Sequence, residues 1–112
     1  MFVMPNVSYD DFTKLDIRVA KIIETEPIEG KSRIIKGRID LGNDDHRDVI
    51  IGGAQYYLPE DLVGKTVIVI ANLEPKKIAG VESNAMLLAA DVKDKPFWLT
   101  VNESVPLGSA IK

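Results

Sequence analysis

Cationic side chains carry most of the chemistry this chain offers, and they gather in two places. Lys36 and Arg38 alternate with Ile35, Gly37, Ile39 and Leu41, so the cations project from one face of a strand and the apolar residues from the other. Lys31 and Arg33 lead into that strand and complete the densest basic cluster in the sequence. Lys76 and Lys77 form the second group, in a polar segment from Asn72 to Asn84 that also holds Pro75, Gly80 and Ser83. Two apolar runs flank it, Val67 to Ala71 and Met86 to Ala90, both read as strands buried on both faces. A core strand, an irregular loop with two lysines and a second core strand is how a rigid scaffold presents a binding loop. A solvated strand face and a solvated loop fit the same two patterns.

The parts of a catalytic site are harder to assemble. The sequence has no cysteine, which removes disulfides, thiolate metal sites and cysteine nucleophiles together. His46, the single histidine, lies among carboxylates in Gly42-Asn43-Asp44-Asp45-His46 with no second ligand at suitable spacing, and reads as a solvated turn residue. Asp10-Asp11 and Glu60-Asp61 sit at helix starts and Asp44-Asp45 in a turn, so structure accounts for each acidic pair. Gly52-Gly53 lacks both the P-loop pattern and the dinucleotide spacing. The expectation is a binding module without catalytic residues, metal or cofactor.

Composition narrows what such a module binds. At 112 residues, 46% hydrophobic and 28% charged, the chain is one ordered domain, residues 1–112. No apolar run is long enough to span a membrane. The start, Met1-Phe2-Val3-Met4-Pro5, lacks the basic residues and apolar core of a signal peptide, so a cytoplasmic location is expected. The net charge is −3. Sequence-blind nucleic-acid coating draws its affinity from phosphate neutralisation and favours basic proteins. The charge argues against that mode of binding and not against binding, since a local basic patch remains able to hold a shaped nucleic acid.

The elements that must position these residues follow in order. Ser8 caps a short helical turn through Leu15, with Phe12 and Leu15 on its inward face. Asp16 to Thr25 alternates as a half-buried strand, Ile17, Val19 and Ile23 on one side and Asp16, Arg18 and Glu24 on the other. Pro27 and Gly30 mark a turn, Arg33 to Leu41 makes the second strand, and Arg47 to Ile51 the third. Leu58-Pro59-Glu60-Asp61-Leu62-Val63-Gly64 has the start and stop signals of a short helix. Three strands, a short helix and two strands predict an all-β fold. It is a five-stranded OB-fold Greek-key barrel over residues 8–90, with the helix between strands 3 and 4. Residues 91–112, with a strand at Phe97 to Val101, form a C-terminal extension that covers the barrel or builds a subunit interface.

Four blocks resemble a known family: Asp11-Phe12-Thr13-Lys14-Leu15-Asp16-Ile17-Arg18-Val19, Ile39-Asp40-Leu41-Gly42, Tyr57-Leu58-Pro59-Glu60-Asp61-Leu62-Val63-Gly64, and Asn72-Leu73-Glu74-Pro75-Lys76-Lys77-Ile78-Ala79-Gly80 with Ser83 and Met86 following. They look like the tRNA-binding domain of free-standing structure-specific tRNA-binding proteins, which also occurs at the C-terminus, or as the beta subunit, of methionyl-tRNA synthetases. The resemblance covers about residues 8–112. It implies an OB-fold with an extension used for homodimerisation, and recognition of folded tRNA near its outer corner, as a non-catalytic accessory to aminoacylation. It implies tRNA contacts at Arg33, Lys76, Lys77, Ser83 and Met86; charge and face add Lys31, Lys36 and Arg38. The chain departs from the family pattern at Ser32, at Gly52-Gly53-Ala54, and at Ala85, where glycine is usual and permits backbone geometry alanine resists. A neighbouring branch of the fold holds secretion-linked chaperones that bind unfolded peptides as dimers, and that is the alternative reading.

Overall fold

A computed structural model describes residues 3–112; Met1 and Phe2, on which the reading of the N-terminal segment partly rests, lie outside them. Helix α1, Tyr9–Thr13, opens where Ser8 Oγ accepts the Asp11 N–H at 3.0 Å. Strands β1 (Ile17–Pro27), β2 (Ile34–Asp40) and β3 (His46–Gly52) follow, then helix α2 (Pro59–Leu62) and strand β4 (Thr66–Ile70). Strands β5 (Lys76–Ile78) and β6 (Val81–Ser83) form a hairpin, β7 (Met86–Leu87) returns to the main sheet, and β8 (Ala89–Val92) pairs with β9 (Lys95–Trp98). The main sheet runs β3-β2-β1-β4-β7, all antiparallel, with α2 between β3 and β4. That is the strand order of the OB-fold, an all-β barrel.

The interior is aliphatic. Ala20 and Ile22 of β1, Ile35 and Ile39 of β2, Val49 and Ile51 of β3, and Val67 and Val69 of β4 fill it, with Leu41, Leu62, Ala71 and Ala85. Each Ile, Leu or Val hidden here contributes about 1.5–3 kcal/mol of transfer free energy. The alternation expected for β2 holds, with Ile35, Gly37 and Ile39 buried and Lys36 and Arg38 turned outward. Pro59 opens α2 and Gly64 stops it, its N–H donating to the Ile22 carbonyl at 2.7 Å.

Two expectations need correction and one gains a side. Ile17 and Val19 share a face of β1 as expected, and it is the outer one: they pair with Ile70 and Ile68 of β4, while Ala20 pairs with Val67 inside. A register shift between Ile22 and Glu24 ends the simple alternation. Helix α1 buries none of its residues, and Phe12 and Leu15 stay exposed because the helix sits outside the barrel. The run from Met86 to Ala90 is not a strand buried on both faces. β7 pairs with β4 and the Leu88 N–H still donates to the Ile68 carbonyl at 2.9 Å, but the chain then leaves for the β8–β9 hairpin, with Met86 and Ala90 exposed.

What buries the outer side of β1 and β4 is the end of the chain. The Gly108 N–H donates to the Val19 carbonyl at 2.8 Å, the Val19 N–H to the Ser109 carbonyl at 3.0 Å, and the Ile111 N–H to the Ile17 carbonyl at 2.8 Å. Ile68 donates to the Leu99 carbonyl in the same way. Residue 108 must be glycine or close to it: its φ is +85° and a Cβ would run into the Leu41 carbonyl. Deleting residues 106–112 removes several main-chain bonds of about 1 kcal/mol each and uncovers Val19. The melting temperature should fall by about 10 °C or more, read by circular dichroism. An unchanged melt would make the tail an appendage.

At the same end of the barrel, the Asp16 carboxylate takes hydrogen bonds from Arg18 Nη2 at 2.6 Å and Nε at 2.9 Å, which hold it below its ordinary pKa against desolvation. Asp45 is lowered likewise by its bonds from Arg47. A carboxylate depressed by folding stabilises above its unfolded pKa, about 3.9. It loses that contribution as pH falls through the lower folded value. The urea midpoint should therefore stay level from neutrality down to about pH 5 and fall below about pH 4. Both carboxylates are about one-third exposed, so the pairs' share of that fall should be modest and shrink in high salt. A midpoint that rises on acidification contradicts this assignment.

Candidate nucleic-acid interface

Between β4 and β7 the chain is more regular than the irregular loop expected for it. Lys76 pairs with Ser83, Lys77 with Glu82 and Ile78 with Val81, around a two-residue turn of Ala79 and Gly80 at φ +52° and +80°. Two positive φ values define the primed turn that suits the twist of a hairpin. The hairpin is docked against the free edge of β3. Ser83 Oγ accepts the Ile50 N–H at 3.0 Å and donates to the Ala85 carbonyl at 3.1 Å, and the Asn84 N–H donates to the Asp48 carbonyl at 3.0 Å. Ala85 adopts no left-handed backbone and buries its methyl in the core, so alanine is accommodated where glycine is usual.

This docking brings together Lys76, Ser83 and Met86. They line one open groove of about 280 Å³ with Ile50, Leu73, Glu74, Ile78 and Ala85. Its walls are largely apolar and Met86 is half exposed over it, not sunk in the core. The Ser83 hydroxyl has spent its proton on Ala85 and keeps one lone pair for a further donor. Lys77, exposed on the next position of the hairpin, does not line the groove.

The remaining cations divide. On the outer face of β2, Arg38 is bound to Asp48 at 2.8 Å and Lys36 approaches Glu26 at 3.6 Å, so carboxylates neutralise both. Lys31 and Arg33 lie in the β1–β2 connection, and with Lys76 and Lys77 they make no ion pair among the described residues. Lys36 stands opposite Ile50, whose N–H meets Ser83, and Arg33 precedes Lys36 by three residues, about 10 Å back along the chain. In an OB barrel the face of strands 2 and 3, with the loops between strands 1–2 and 4–5, is where oligonucleotides bind. The seven cationic and polar candidates fall on that face or in those loops, and Met86 opens β7 at the edge of the groove.

The sequence alone gave no reason to single out Arg47, yet it holds the groove's hairpin at both ends. Nη1 donates to the Ala71 carbonyl at 2.6 Å and to the Asn84 carbonyl at 3.2 Å, while Asp45 grips Nε and Nη2 at 3.0 Å each. Its residue type beside Asp45 resembles any exposed ion pair; only the fold reveals the two carbonyls. Asn72 acts similarly at the loop's start, donating to the Lys14 carbonyl at 2.7 Å and accepting the Asp16 N–H at 2.8 Å. Replacing Arg47 by Met orphans two carbonyls at a cost of about 1–3 kcal/mol. Hydrogen exchange should quicken across residues 72–85 more than in β1 and β2. Uniform exchange would deny Arg47 this role.

Among the described residues no helix is long and apolar enough to cross a membrane. Residues 17–110 match the family model described as "Putative tRNA binding domain". A methionine–tRNA ligase of Methanocella arvoryzae is 48% identical over 109 residues, which are 97% of this chain and 16% of that protein, so the chain spans about a sixth of that relative's length. The solved structure of a MetRS-related protein from Pyrococcus horikoshii superposes with a TM-score of 0.89 at 36% identity, covering 97% of this chain and all of that one. A chaperone CsaA from Bacillus anthracis reaches 0.87 at 26% identity, over 96% of this chain and all of its own. With the strand order, the hairpin and the matched span in agreement, the chain belongs to the tRNA-binding domain family and is related to a segment of methionine–tRNA ligases.

Proposed function

We propose that the chain binds folded tRNA on the β2–β3 face, near the outer corner of the molecule, as a homodimer in the cytoplasm. It would serve as an accessory to methionyl-tRNA synthetase. The observation that carries the reading is four cations that make no ion pair among the described residues: Lys76 and Lys77 on the hairpin whose groove holds Ser83 and Met86, and Lys31 and Arg33 in the β1–β2 connection. Lys76, Lys77, Arg33 and Lys31 take phosphates. The spare lone pair of Ser83 accepts a ribose 2′-hydroxyl, which distinguishes RNA from DNA. Met86, with Ile50 and Ile78 beneath, packs on a base that the folded RNA leaves unstacked. Arg38 and Lys36 assist less, since each has a carboxylate to leave first.

A net charge of −3 supports shape recognition, because a few placed cations contact a folded RNA while the rest of the surface repels bulk polyanion. Within residues 91–112, Val92, Leu99 and Val105 are exposed, apolar surface that a second copy would cover. Two copies double the binding surface for one tRNA. The likeness to the chaperone CsaA favours a second reading, capture of unfolded peptide on the same exposed apolar residues.

Folded tRNA, an unstructured RNA of equal length and a reduced unfolded protein, titrated at low and moderate salt, separate the two. A preference for folded tRNA that survives moderate salt supports tRNA binding, and light scattering should then give twice the monomer mass. Replacing Lys76 and Lys77 by Ala should weaken tRNA binding and lower the salt slope by about 1.8, with little change in melting temperature. Loss of all RNA binding with salt and retention of the unfolded protein would assign the chain to the chaperone reading.

A further inference from the structure

Next to Arg33 the fold builds a second feature that the groove does not use. The Arg33 carbonyl accepts both the Gly53 and Ala54 N–H groups, at 3.0 and 3.2 Å, and the Gly53 carbonyl in turn accepts those of Tyr56 and Tyr57. The turn carrying the two tyrosines is thus an extension of the β1–β2 connection. Strand β9 packs on it. Gly53 sits at φ +89° with Pro96 so close that a Cβ would lie 2.7 Å from its ring, and Tyr57 Oη donates to the Pro96 carbonyl at 2.7 Å. These contacts fix Tyr57 and set Tyr56 and Phe97 beside it, each 45% exposed.

Among these rings stands Lys95. Its ammonium lies 5.0 Å from the Phe97 centroid, 5.6 Å from Tyr57 and 5.8 Å from Tyr56, and it makes no ion pair among the described residues. A cation attracted by ring faces is held in place without being neutralised, so its protons remain available to an anion. Two exposed rings with a lysine between them that no carboxylate among the described residues neutralises are the parts of a stacking platform for single-stranded nucleic acid.

We propose that Tyr56, Phe97 and Lys95 form a second RNA contact, in which an unstacked base packs on an exposed ring and Lys95 takes the neighbouring phosphate. This rests on the reading of the β2–β3 face as the tRNA site, since Arg33 joins the two. The platform extends the footprint past Arg33, on the side away from the hairpin, and commits its ligand to an unpaired nucleotide rather than to duplex.

The test compares wild type, Tyr56→Leu, Phe97→Leu, Lys95→Met and the Lys76, Lys77 double alanine variant, each titrated with folded tRNA and a short oligouridine over a range of salt. Loss of a stacking ring should weaken binding about tenfold and leave the salt slope unchanged. Lys95→Met keeps the stem and should lower the slope by roughly one phosphate contact, about 0.7 for the single strand. All three side chains are at the surface, so melting temperatures should stay near wild type. Wild-type affinity in all three, with weakened binding in the double alanine variant, overturns the platform and leaves the groove standing. Weakening in the three with none in the double variant keeps the platform and overturns the groove. A wild type that binds neither RNA overturns both.

Discussion

Closure of the barrel along the free edge of β3 is the constraint on which the rest depends. A strand edge exposes N–H and carbonyl groups that must find partners. β7 is two residues long and cannot supply them all. The chain solves this with side chains and with the residues just before β7: Ser83 Oγ meets Ile50, Asn84 meets Asp48, and Arg47 spans Ala71 and Asn84. Because the edge is closed by the hairpin's own base, Lys76 and Lys77 are held in one place. A cation on a fixed strand loses less conformational entropy on meeting a phosphate than one on a free loop.

A second layer follows from the first. The interior face of β1 and β4 is satisfied by the barrel, and their outer apolar residues Ile17, Val19, Ile68 and Ile70 need another cover. The C-terminal residues provide it by pairing along the part of β1 that β2 leaves free. The extension is therefore part of the folding unit and is at the same time positioned, through β9 and Pro96 against Gly53, beside the connection that carries Arg33. Fold completion and the reach of the surface are linked in the same residues.

Much of this was legible in the chain. The period-2 alternation of β2, the Gly-Asn-Asp turn after Leu41, the proline start and glycine stop of α2 and the unbroken apolar β4 are local signals, and each appeared where its residues placed it. What failed was non-local. Ile17 and Val19 announce an apolar face but not which side of the sheet is the barrel interior. Met86 to Ala90 is apolar enough for a core strand, yet its direction is set by the hairpin partner β9 in the sequence ahead. Arg47, Tyr56 and Lys95 gave no signal because their partners are carbonyls and rings brought near only by folding. Ser83 was singled out through resemblance, while its hydrogen bonds to Ile50 and Ala85 give it a structural task as well.

Under the proposed function, one face, bounded by the β1–β2 connection and the β5–β6 hairpin, receives folded RNA, and amide hydrogen exchange of the chain with and without saturating folded tRNA measures this directly. Protection should concentrate in residues 31–38, 50–53 and 73–86, and leave α1 and residues 99–112 as they are in the free protein. Protection confined to α1 and the C-terminal residues, with the hairpin exchanging at its free rate, would contradict binding on this face.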